Sequence, residues 1–195
     1  MYLLRKVAVG ALLTGLILNG CAGPTPTNFT VQDIKPATHK IEAELRSVTA
    51  GPAHPGERLT DRVHTDLEYS WYGVWKDAVQ DALNRKAIFE EDVPRAVSIA
   101  IKVTQLDLPD MGFEMTVTSS ARYEIISVAT GKIVSAIDIT TDGMTPADYS
   151  IDGGRRILEA LNRSVRKNIS EFLRALEAKD INSAIISASD GRSSK

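Results

Sequence analysis

Cysteine occurs once in this 195-residue chain, tryptophan twice and histidine three times. A single thiol excludes an intramolecular disulfide and any multi-cysteine zinc site. His39, His54 and His64 show no HExxH or H-x-H spacing, so the pattern offers no metal site. There is no G-x-S-x-G elbow for a serine hydrolase. Gly153-Gly154 stands before a predicted helix, where a phosphate could sit. However, Arg155-Arg156 follows in place of the P-loop Lys-Ser/Thr, and the pair reads as a flexible lead into the helix. Glu90-Glu91-Asp92 lacks the glycine turn and further ligands of a calcium loop and reads as a solvated segment. No repeat has a fixed period. The expectation is no catalytic residue, no metal and no cofactor. A periplasmic hydrolase using His39, His54, His64, Asp148 or Asp152 is the third-ranked alternative.

Long apolar runs are also scarce. Val7 to Leu18 is the one such run, behind Arg5-Lys6 and ahead of Leu18-Asn19-Gly20-Cys21. Twelve residues suit the core of a signal peptide and fall short of the roughly twenty a membrane-spanning helix needs. The four residues that close the run resemble a lipobox, in which the peptide is cut before the cysteine. Leu18, Gly20 and Cys21 match, while Asn19 is a polar departure. The resemblance implies cleavage between Gly20 and Cys21 and lipidation of Cys21, with palmitate among the acyl chains. Ala22 follows where an Asp would imply retention in the inner membrane, so outer-membrane anchoring with the domain in the periplasm is expected. Lipidation consumes the only thiol. The expected organisation is a signal peptide (1–20), a lipidated tether (21–28), one domain (29–179) and a flexible tail (180–195).

Removing residues 1–20 leaves 175 residues, enough for one domain with a core. It also leaves 21 basic against 25 acidic side chains, a net charge of −4 and no nucleic-acid signature. Alternation predicts strands over Lys40–Thr49, Val97–Leu108, a long stretch from Phe113 with Met115, Val117, Ala121, Tyr123 and Ile125 on one face, and Ile133 to about Gly143. Three- and four-residue spacing predicts a helix to about Lys86, with Trp71, Val74, Trp75, Ala78, Val79 and Ala82 on one side. A second helix, capped by Ser150 or Asp152, carries Leu161, Val165, Ile169, Phe172, Leu173 and Leu176. Its other side carries Arg155, Arg156, Arg163, Arg166, Lys167 and Arg174, which reads as a solvated face. Trp71, Tyr72 and Trp75 read as a core stripe and its edge; the alternative is a ligand- or partner-facing surface.

The predicted class is α+β: a two-layer sandwich with an antiparallel sheet of about four strands under two helices, in the order β-α-β-β-β-α. That order behind a lipobox resembles the YajG-like family of outer-membrane lipoproteins. The likeness lies in the helix Trp71–Lys86, the strands VSIAIKVTQLDL and EMTVTSSARYEI, and the late helix LEALNRSVRKNISEFL. The arrangement is also similar to LptE, the lipoprotein that plugs the lipopolysaccharide export barrel. The resemblance implies a non-enzymatic binding or assembly accessory, held to the membrane through Cys21, with an envelope protein as partner. An LptE-like role in lipid transport is the narrower alternative.

Overall fold

The computed structural model describes residues 26–60, 69–110 and 112–190. Gly20 and Cys21, with the cleavage and lipidation expected there, lie outside the described residues, as does His64.

The fold is α+β. The strands β1 (Glu44–Pro52), β2 (Ala96–Asp107), β3 (Met115–Ser127) and β4 (Ile133–Thr145) form one sheet in the order β1-β2-β3-β4. Helices α1 (Tyr69–Lys86), α2 (Gly153–Ala178) and α3 (Ile181–Asp190) accompany it among the described residues. β2, β3 and β4 form the expected antiparallel meander. The β1–β2 pair is parallel, because α1 lies between them in sequence and returns the chain to the end where β1 began. A second departure concerns residues 180–195: Ile181–Asp190 is helical, with Ile181 and Ile185 buried, so the expected flexible tail does not hold over that stretch.

The alternating apolar residues decide which face is covered. Val97, Ile99, Ile101, Val117, Tyr123 and Ile125 are buried against the helices. Phe113, predicted to share that face, lies in the loop before β3 and is 88% exposed. β4 also runs two residues beyond Gly143, the expected strand end. A Cβ at Gly143 would stand 2.2 Å from both the Ala160 carbonyl oxygen and the Ser164 nitrogen. The glycine therefore sets how closely α2 approaches the sheet. α2 and the lysine after it also bond the backbone of β4. Arg163 donates to the Met144 carbonyl, Ser164 to that of Thr141, Asn168 to that of Ile139 and Lys179 to that of Ala136.

Residues 26–38 form an extended strap between α1 and α2. The strap starts beside the first half of α2: Asn28 N donates to Asn162 Oδ1 (2.9 Å), Asn162 Nδ2 to the Pro26 carbonyl (3.2 Å) and Arg166 Nε to the Asn28 carbonyl (2.9 Å). Phe29 is buried with its ring edge-on to Trp75, the centroids 6.1 Å apart. Arg85 then holds the Val31 carbonyl at 2.7 Å, and the Ala37 amide donates to the Lys86 carbonyl at 2.8 Å. At the far end Glu177 accepts from Thr38 N (2.8 Å), Thr38 Oγ1 (3.0 Å) and Lys86 Nζ (2.6 Å). The last three residues of the expected tether, 26–28, are thus fixed to the domain.

Candidate functional site

α1 turns its Trp75 toward β3. The indole is 2% exposed, and Nε1 donates to the Tyr123 hydroxyl at 3.2 Å. Tyr72 is buried and Trp71 half-buried against the same core. Of the three residues considered as a ligand- or partner-facing surface, the structure therefore puts Tyr72 and Trp75 inside the core and Trp71 at its edge.

Around Tyr123 lies a polar network that sequence reasoning missed. Tyr123 Oη donates to Asn168 Oδ1 (2.8 Å), and Asn168 Nδ2 donates to the carbonyls of Ser119 (3.2 Å) and Ile139 (3.1 Å). Ser119 Oγ lies 2.7 Å from Ser164 Oγ and 3.3 Å from Thr141 Oγ1, which donates to the Ser164 carbonyl at 2.9 Å. The Tyr123 ring stacks on Phe172, centroids 3.9 Å apart and planes within 7°. Burial pushes the phenol up, so Tyr123 remains a neutral donor. The network contains hydroxyls, an amide and an indole but no histidine, lysine or carboxylate, so none of these serines has a base to activate it. Its evident work is to fix α2 in one register on the sheet. The available signal was Ser164 and Asn168, which share the apolar stripe of α2 at helical spacing with Leu161 and Val165.

The opposite face of the sheet carries charge. Lys102 Nζ lies 3.1 Å from Glu57 Oε1 and 2.9 Å from Glu124 Oε1, and Arg122 holds Asp138 in a fork at 2.7 and 3.0 Å. The hydrogen bond to Glu124, then that to Glu57, holds Lys102 above the usual lysine range. The Lys102 bond draws the Glu57 carboxyl down, and the Arg122 fork does the same to Asp138. Glu57, Leu59, Lys102, Arg122 and Asp138 line a groove of about 370 Å³. Each charge in it is matched within the domain, Lys102 also by the buried Glu124 behind it.

Two other grooves lie toward the far end of the strap. One of about 860 Å³ is lined by Lys40, Glu44, Asn84 and the acidic run Glu90-Glu91-Asp92. One of about 260 Å³ lies among His39, Glu177 and α3's first residues. Neither these grooves nor the Lys102 groove contains His54, Asp148 or Asp152. Asp152 is the cap of α2 and accepts from Gly154 N at 2.9 Å, which occupies the amide a phosphate would need. Among the described residues no group of three or more His, Cys, Asp or Glu side chains is arranged to hold a metal ion. No described helix is long and apolar enough to cross a membrane.

The basic residues of α2 are largely engaged in holding the structure. Arg163 bonds Glu159 at 2.8 Å, Arg156 donates to the carbonyls of Ser150 and Gly112, and Arg174 pairs with Glu171.

No family model matches the chain, and no curated protein matches it. Among solved structures, the chain is similar to a Xanthomonas campestris protein of the DUF330 family, with 14% identity and a TM-score of 0.51. That likeness covers 80% of this chain and 93% of the other. A minor lipoprotein of Acinetobacter baumannii aligns at 13% identity and a TM-score of 0.41, covering 71% and 93%. The first likeness bears on the fold alone. The second is too distant to carry an argument.

Proposed function

We propose that this chain is a lipid-anchored envelope lipoprotein whose domain works as a non-enzymatic binding or assembly accessory in the periplasm, held to the outer membrane through Cys21. The single observation that supports it best is the strap. The chain just after the processing motif is built into the domain, with Pro26 and Asn28 hydrogen-bonded to α2. An acyl group on Cys21 would thus hold a folded domain at a defined place, on a short lead. Apolar side chains and the satisfied Tyr123–Asn168 network occupy the space between helices and sheet among the described residues, which favours a role carried by the surface. The narrower role in lipopolysaccharide transport rests on the LptE resemblance alone.

The test is fractionation of the full-length precursor. The wild type is expected in the outer-membrane fraction, and Cys21→Ser in the soluble periplasmic fraction or as uncleaved precursor. A Cys21→Ser protein that is processed and still partitions fully with the outer membrane would remove the anchor.

A further inference from the structure

Pro26, at the beginning of the strap, lies beside the first half of α2. Residues 26–28 lie beside Asn162 and Arg166, and the strap then runs to Glu177 in the same direction as α2. Five peptide links join Cys21 to Pro26 and span at most about 18 Å. Asn162 is about 14 Å along the helix axis from Gly153 and about 24 Å from Ala178. Cys21 itself can therefore stand level with the start of α2, whereas it cannot reach the far end.

The same end of the domain exposes apolar side chains that the core does not use. The β2–β3 loop, the end of β4 and the start of α2 meet there: Met115 pairs with Thr145, and Arg156 Nη2 donates to the Gly112 carbonyl at 3.3 Å. Phe113 is 88% exposed and Ile151 fully so. Met144 and Tyr149 are about half exposed, and the Arg163 guanidinium lies 5.7 Å from the centre of the Tyr149 ring. An aromatic and an aliphatic tip with a tyrosine behind them fit the boundary between acyl chains and head groups.

We infer that this end, with Phe113 and Ile151 at its tip, inserts into the surface of the lipid bilayer that holds the acyl chains. The inference rests on the anchor proposed above and extends it: the domain stands with α2's first turn against the membrane. The β3–β4 turn then points away, about 40 Å along β3. The outer sheet face and the Lys102 groove stand roughly upright and open to a protein partner. Insertion of two side chains adds a second hold to the acyl anchor.

The experiment uses the lipidated full-length protein, reconstituted into vesicles of phosphatidylethanolamine and phosphatidylglycerol. With Cys21 acylated, Ile151→Cys and, separately, Val128→Cys each carry one free thiol for a nitroxide label. Val128 is exposed and adjoins the β3–β4 turn, so neither change disturbs the core. The expected result is a nitroxide at Ile151→Cys several-fold more accessible to oxygen than to a water-soluble nickel chelate, with the reverse at Val128→Cys. Phe113→Cys should report as Ile151→Cys does. Water-like accessibility at both ends overturns the inference while leaving the anchor intact. Shielding of Ile151→Cys from both reagents means a protein contact, such as a second copy, and also overturns it. A labelled protein whose mass shows two nitroxides has an unacylated Cys21; in that case the anchor itself fails, and the inference with it.

Discussion

At Gly143 two backbones approach so closely that a methyl group has no room. A Cβ there would meet the Ala160 carbonyl oxygen and the Ser164 nitrogen at 2.2 Å, and both belong to a helix that cannot yield locally. Gly143→Ala is expected to destabilise the domain by about 3 kcal/mol, read as a lower urea midpoint. Asn168 is the other critical single residue, serving Tyr123 Oη, the Ser119 carbonyl and the Ile139 carbonyl at once. Asn168→Ala leaves three buried groups without that partner, and a loss of about 3 kcal/mol is expected in the same measurement. Neither role was readable from the sequence. Gly143 follows an aspartate in a polar stretch and resembles a strand stop. Asn168 lies among charged residues, and only its helical spacing from Leu161 and Val165 places it inward.

Among the elements, the strap distinguishes this domain from a plain helix-on-sheet layer. It fills the seam between α1 and α2, and Phe29 is its apolar plug. Phe29→Ala should destabilise by about 3 kcal/mol and make the segment before Ile41 the first site of proteolysis. Its far end is electrostatic. Hydrogen bonds from Lys86 first, then from Thr38 N and Thr38 Oγ1, hold the Glu177 carboxyl down at about 2, against an ordinary 4.5. A lowered folded value means that the stabilisation is complete above 4.5 and is lost as pH falls toward 2. In urea unfolding, wild type should exceed Glu177→Gln in stability near neutral pH, and the gap should close over that acid window. A pH-independent gap would show that the ionised carboxylate is not the source. The strands and helices were largely legible, because strict alternation in β2 and β3 and the wide stripe of α2 leave little choice. The strap was not, since Phe29–Ile34 has a strand's composition but finds its partners on helices. The parallel β1–β2 pair was not read from alternation, which carries no information on direction, although the helix between the two strands already implied it.

For the whole molecule, the lipobox-like Leu18–Cys21 stands a few residues before Pro26, which the domain fixes beside the first half of α2. The tryptophans, considered as a surface, lie in the core or at its edge. The lipobox resemblance was legible because its chemistry is local: a charge, an apolar run and a thiol in fixed order. The proposed orientation on the membrane was not, since it rests on exposed side chains of the β2–β3 loop and the start of α2, nearly forty residues apart. The most direct measurement is the mass of the N-terminal peptide of the mature protein extracted from membranes. The account predicts a peptide that begins at Cys21 and carries acyl chains on it. A mature chain that begins at another residue, or keeps a free thiol at Cys21, would contradict it.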